Sequence, residues 1–371
     1  MDIGGRDLSS LRIGYTSYPG WNGRHPADRL RFVHVATALG CSVVEATPGG
    51  QYDLVVVSDA ADVTAWSREP RGPGHPRLIY DLVDSYLNVG FFNSPRDVLR
   101  GLGKFVVGQS AGLFLDYREA KIAMCRRADA VVCSTPEQQA VLSQYNASVT
   151  PILDFTSLMA TARKAEYAAG TPFRITWQGL GSNAHTLAVI AEPLRALARE
   201  MPIELHLVTQ LDHPVMLMYH GRRSTVSQMR RLLAGIPIFF HEWNEFMLNL
   251  VSTACDLAVL PIPDSKYSNH MYRYKPENRL CLYWRMGLPV LASATPSHTR
   301  TMRDAGQPEN LCATADEWAK RLHVMAVDHA ARRAAGVGGR GWVEQAFSDE
   351  VLMGRWESVL RRVLAPGSAA T

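Results

Sequence analysis

Short apolar runs, each followed by a helix-patterned stretch, recur along this chain and limit what it can fold into. Leu54-Val55-Val56-Val57 is apolar at every position, the pattern of a strand buried on both faces rather than one with a wet side. Ala130-Val131-Val132-Cys133 and the run from Asp256 to Leu260 read the same way, as does the run that Pro289 opens. Helical periodicity lies between these runs, so the alternation predicts an α/β fold with parallel sheets.

The pattern starts twice. Arg12 to Thr16 reads as a strand, Ser17 to Arg24 as a glycine-bearing loop, and Pro26 to Leu39 as a helix stopped by Gly40. Phe173 to Trp177 restarts it. Gln178-Gly179-Leu180-Gly181-Ser182-Asn183 follows, and then an amphipathic stretch carrying Leu187, Ile190, Leu194 and Leu197 on one face. Pro193 predicts a kink or a break there. Neither loop is G-x-G-x-x-G, so no dinucleotide fingerprint is present. The first half adds strands at 41–46, 53–58, 77–80, 130–133 and near 149–153, and the second at 203–208, 236–240, 256–260, from 289 and at 311–312. The segment 154–172 loses strand patterning and reads as a linker, while 213–223 fits no element. A chain of 371 residues exceeds one typical core. Two similar α/β domains facing each other across a cleft are expected, over 1–155 and 170–340.

Composition narrows the function classes. Lys plus Arg (39) against Asp plus Glu (35) leaves a net charge of +4, too mild and too scattered for a nucleic-acid protein. Cys41, Cys125, Cys133, Cys255, Cys281 and Cys312 form no C-x-x-C pair and no metal-ligand spacing. They read as reduced core thiols of a cytoplasmic protein, and no metal site is expected. No apolar run approaches the roughly 18 residues of a spanning helix, so membrane contact is at most peripheral.

The stretch Tyr272-Arg273-Tyr274-Lys275-Pro276-Glu277-Asn278-Arg279-Leu280 carries the strongest chemical signal. Pro276 suits a first helical position, because its missing N–H would be unbonded there anyway. Leu280, Tyr283 and Met286 recur at helical spacing, and Gly287 supplies a left-handed C-cap. The free N–H groups of such a helix start, with Lys275, Arg279 and Arg273 around it, form a seat for an anion such as phosphate; solvated surface charge is the plainer alternative. Asp84 follows the strand at 77–80, where α/β proteins place ligands, and suits hydrogen bonding to a hydroxyl or acid/base work. Asp81, nearer the strand, reads as structural. Gly20, Asn22, Gly23 and Arg24 either approach a substrate closely or make a tight turn. Trp243 either stacks on a flat ring or fills a core.

In order along the chain, Gly20 to Gly23, Ala128-Asp129-Ala130-Val131-Val132, Ile175-Thr176-Trp177-Gln178-Gly179, Cys255 to Pro261, and Lys275 to Leu280 with Gly287-Leu288-Pro289-Val290 resemble the nucleotide-sugar glycosyltransferases of the GT-B fold. They are most similar to the retaining family-four group, and the similarity spans nearly the whole chain. The resemblance implies two facing Rossmann-like domains, an N-terminal one for the acceptor and a C-terminal one for the donor. A last helix, within 348–371, would cross back onto the first domain. It implies no resident cofactor or metal, the nucleoside diphosphate sugar being a substrate. Two departures stand out. The family's Glu pair falls on Tyr274 and Leu282, which leaves ribose contacts to Glu277 or Asn278. A His common at the acceptor side has Asp84 near its place.

The expectation is an enzyme that moves a sugar to an acceptor hydroxyl in glycan, polysaccharide or glycoconjugate biosynthesis. The acceptor would be a glycan, a lipid-linked molecule or a small molecule. Asp84, Lys275 and Arg279 would be catalytic; Gly179, Gly181, Ser182, His241, Trp243, Glu277 and Asn278 would bind the donor; Gly20, Asn22, Gly23 and Arg24 would bind the acceptor. The alternative is an inactive GT-B scaffold that binds a partner glycosyltransferase or a glycan.

Overall fold

The computed structural model describes residues 2–3, 6–7, 10–17, 25–84, 87, 105, 112, 117–214, 221–263 and 274–365. The chain forms two compact units. The first takes Met1–Phe155, Tyr274–Pro276 and Asp349–Thr371, and the second takes Thr156–Arg273 and Glu277–Ser348.

The first unit holds a six-stranded sheet of β1 (Ile13–Tyr15), β2 (Val43–Glu45), β3 (Leu54–Ser58), β4 (Arg77–Leu82), β5 (Ala130–Cys133) and β6 (Val149–Pro151). All neighbours are parallel, in the order β2-β1-β3-β4-β5-β6. The all-apolar runs at β3 and β5 are buried at every position, as their composition requires. The helix Asp349–Leu364 packs on this unit with Leu352, Trp356, Val359, Leu360 and Val363 buried. That spacing places one stripe inward, and Trp356 meets Phe32 at 5.5 Å between ring centroids.

The helix expected over 26–39 is two pieces, Pro26–Arg29 and Phe32–Ala38. Arg31 breaks it, with φ −131° and ψ −126°, because its guanidinium turns into the interior toward Asp81 and Asp154.

The second unit holds β7 (Phe173–Gln178), β8 (Ile203–Thr209), β9 (Ile238–Glu242), β10 (Leu257–Leu260), β11 (Val290–Ser293) and β12 (Leu311–Cys312). These are again parallel, in the order β9-β8-β7-β10-β11-β12. The stretch after β7 is a 3₁₀ segment, Gly181–Ile190, followed by the helix Ala191–Glu200. Pro193 therefore lies in a first turn, where its missing N–H breaks no helical bond. The unassigned stretch resolves at its ends into an antiparallel pair, Asp212–Pro214 with Arg222–Ser224.

The stretch read as a linker is held against the second unit. Buried Asn249 accepts from the N–H groups of Thr161 and Ala162 at 2.8 and 3.0 Å and donates to the Met159 carbonyl at 2.7 Å. Lys164 Nζ donates to the Cys255 carbonyl at 2.7 Å. Among the described residues no helix is long and apolar enough to cross a membrane.

Candidate functional site

In a parallel sheet, ligands bind beyond the carboxyl ends of the strands, where the strand order reverses. In the first unit the order turns between β1 and β3. The loop with Gly20, Asn22, Gly23 and Arg24 follows β1 and lies outside the described residues, as does Arg273.

Asp81 and Asp84 leave the carboxyl end of β4. Asp81 is sealed: Arg31 Nε lies 2.9 Å from both its oxygens and Nη2 lies 2.5 Å from Oδ1. The same guanidinium reaches the Ile152 carbonyl at 3.1 Å and Asp154 Oδ1 at 2.8 Å. Burial raises the pKa of Asp154, opposed by Arg31 and reinforced by Asp81 and Asp84. Asp84 itself is part-exposed, and its Oδ2 lies 3.4 Å from Lys275 Nζ. Two residues 191 positions apart, each singled out from the sequence, thus form one ion pair. Both belong to the first unit, because the segment Tyr274–Pro276 does, and Tyr274 packs against that unit's core.

The helix after Lys275 starts later than Pro276 implies. It spans Asn278–Arg285, with Glu277 as N-cap at φ −78° and ψ 16°. Pro276 thus precedes the cap instead of taking the first helical position. The other end is as read: Gly287 has φ +77°. Its N–H donates to the Trp284 carbonyl at 2.8 Å and the Leu288 N–H to the Tyr283 carbonyl at 3.0 Å, the paired bonds of a Schellman cap.

In the second unit the order reverses between β7 and β10, so the crevice belongs to Gln178 and Gly179. Arg279 comes from the first turn of Asn278–Arg285, and its Nη1 donates to the Gln178 carbonyl at 3.0 Å. Gln178 Oε1 is enclosed with no hydrogen bond among the described residues. Gly179 is a packing requirement, since a Cβ there would lie 2.7 Å from the Trp177 ring and 3.2 Å from Arg279 Nη1. A Cβ on Gly181 would strike the Thr225 hydroxyl. Ser182 is exposed, and its carbonyl accepts from His185 Nδ1 at 2.8 Å.

Glu277 is buried. Its Oε1 accepts from Arg300 Nη2 at 2.6 Å and from the Thr301 hydroxyl at 3.1 Å. Asn278, beside it, is half-buried at the first helical position. His298 is buried with its Nδ1 3.0 Å from the Ser293 carbonyl, and burial lowers its pKa to about 4, with Arg279 adding to the effect. The imidazole is therefore neutral near an arginine at neutral pH.

His241 and Trp243 lie further along the sheet. His241 is on β9, the edge strand, where its Nε2 hydrogen-bonds His206 Nδ1 at 3.1 Å. Burial lowers both imidazole pKa values. Trp243 is half-buried just beyond β9, and its indole N–H is enclosed without a hydrogen bond among the described residues.

The six cysteines form no disulfide with one another. Burial raises the thiol pKa of Cys125, Cys133, Cys255 and Cys312 to about 12, so these four stay protonated at neutral pH. Among the described residues no group of three or more His, Cys, Asp or Glu side chains converges to hold a metal ion. Sequence reasoning missed Arg31, Gln138, His298 and Arg300. For Gln138 the signal was present, since Thr135-Pro136-Glu137-Gln138 has capping-box spacing; the others lie in helix patterns that mark nothing.

No family model matches the chain, and no curated protein matches it. Solved structures do. Sucrose-phosphate synthase from Thermosynechococcus elongatus is similar at a TM-score of 0.59 and 14% identity, over 95% of this chain and 98% of that one. AviGT4, a glycosyltransferase involved in avilamycin A biosynthesis, is similar at 0.51 and 12%, over 95% and 98%. TarM is similar at 0.57 and 9%, over 82% of this chain and 54% of TarM; the chain spans about half of TarM's length. Identities this low describe a shared fold, and that fold is GT-B.

Proposed function

We propose that the chain is a glycosyltransferase that moves a sugar from a nucleoside diphosphate sugar to an acceptor hydroxyl, with retention and without a resident metal. The setting proposed is cytoplasmic glycan, polysaccharide or glycoconjugate biosynthesis. The observation that carries the reading is Arg279. A guanidinium bonded to the end of β7, at the strand-order reversal and on a helix's first turn, is a seat for a diphosphate.

During transfer the bond from the anomeric carbon to the phosphate oxygen breaks, and its electron pair leaves with the diphosphate. The acceptor oxygen forms the new bond on the face the diphosphate leaves, and its proton passes to the Asp84 carboxylate. Charge on the leaving group grows as the bond breaks, so fixed cations bind the transition state better than the ground state. Arg279 and Lys275 take that role. Asp84 accepts the hydrogen bond of the incoming hydroxyl, with Lys275 Nζ 3.4 Å from its Oδ2. Gly179, Gly181 and Ser182 line the donor side, and Asn278 and Trp243 belong to the same proposed set.

Lys275→Ala is expected to lower turnover roughly a hundred- to thousand-fold, with a change in stability under about 1 kcal/mol for a part-exposed pair. Donor turnover measured beside the melting temperature checks this. Near-normal turnover contradicts the assignment.

A further inference from the structure

The Asp84–Lys275 pair joins the end of β4 to a segment that returns from far along the chain. One fully buried side chain ties the two backbones together. Gln138 is 0% exposed, on the helix Pro136–Leu142, where its N–H donates to the N-cap Thr135 hydroxyl at 3.1 Å. Its Oε1 accepts from the Ser134 N–H at 2.7 Å. Its Nε2 donates to the Val83 carbonyl at 3.1 Å and to the Tyr274 carbonyl at 2.9 Å. Each of those carbonyls belongs to the residue immediately before one member of the pair.

We infer that Gln138 is the positioning residue of the Asp84–Lys275 pair. It acts through the backbone at 83 and 274 and does not touch substrate. A primary amide suits the task because one planar group offers two donors and an acceptor. A carboxylate of the same shape has no donor for the two carbonyls, and a thioether has no donor and only a weak acceptor. The Ser134 hydroxyl also donates to the Val83 carbonyl, at 2.9 Å, so the β4 end keeps one anchor when Gln138 is changed. The hold on Tyr274 therefore carries the larger share of the effect. The catalytic consequence rests on the glycosyltransferase reading above; the clamp itself does not.

Two measurements on the full chain separate these. In the first, Gln138→Met, Lys275→Ala and the double variant are compared in donor turnover. Gln138→Met is expected to lower kcat about tenfold or more, as misplacement of a reacting group does, with donor KM little changed. In the Lys275→Ala background it should add almost nothing, since residues acting through one another are not additive. An equal loss in both backgrounds assigns Gln138 to general stability and overturns the inference.

The second measurement needs no activity. Lysines are reductively methylated with ¹³C-formaldehyde and the Lys275 resonance is followed by NMR. Asp84→Asn should shift that resonance in the otherwise unaltered protein and leave it unmoved in the Gln138→Met protein. A shift retained in Gln138→Met overturns the clamp. Where Gln138→Met does not fold, Gln138→Glu, which keeps the acceptor for Ser134, takes its place. A chain that turns over no donor yet shows the resonance pattern loses the enzymatic reading and keeps the clamp.

Discussion

Asp81 and Asp84 leave the same strand three residues apart and meet opposite surroundings. Arg31 closes over Asp81 in the interior, and Lys275 meets Asp84 where both are part-exposed. A buried pair like the first is costly to break from one side, so Arg31 is expected to be structural and Asp84 open to chemistry. His298 gives a pH signature at this scale. The unfolded imidazole takes a proton below about 6.5, the folded one only near 4. Between those values acid therefore favours unfolding, and stability should fall as pH drops, by on the order of 3 kcal/mol. Urea midpoints from pH 7 to 4 check this, and His298→Gln should flatten that part of the curve. Asp84 was legible as a candidate because the end of a strand is written in local pattern. Lys275 was legible because it precedes a proline suited to a helix start, although the helix begins two residues later. Arg31 was not, because its partners lie 50 and 123 positions away and nothing near it in sequence marks a buried charge.

At the scale of elements, the helices Asn278–Arg285 and His329–Ala346 pack through glycine. A Cβ on Gly336 would strike the Gly287 carbonyl and Tyr167, and one on Gly339 would strike the Trp284 ring. Gly341, on the same helix, has nothing within 4 Å of that position and is exposed. Glycine inside a helix costs roughly 0.5–1 kcal/mol relative to alanine, so Gly341→Ala should stabilise by about that amount. Gly339→Ala should destabilise by about 1–3 kcal/mol, because the added methyl overpacks a buried ring. Equal denaturation midpoints for the two variants would contradict the packing account. The run Gly336 to Gly341 gave no hint in sequence of which glycines are contact points, since that depends on the facing helix. The cap at Gly287 was legible, being local, whereas the helix start shifted from Pro276 to Asn278 because Glu277 turns inward to Arg300 and Thr301.

At the scale of the molecule, the strands expected from apolar runs form two six-stranded parallel sheets. Their orders were not legible, since lateral order follows from how each crossover packs and not from the run itself. The orders matter because they locate the reversals, and the second unit's reversal puts Arg279 at the end of β7. The central claim is that this unit binds a nucleoside diphosphate there. The most direct measurement is the melting temperature with UDP, GDP, dTDP or CDP, for the unaltered chain and for Arg279→Ala, each against its own ligand-free value. A diphosphate at 100 times Kd contributes about 2.7 kcal/mol, a rise of roughly 5–10 °C for a unit of this size. The account predicts that rise with at least one of the four, and its loss in Arg279→Ala. No rise with any of them, or the same rise in both proteins, would contradict it.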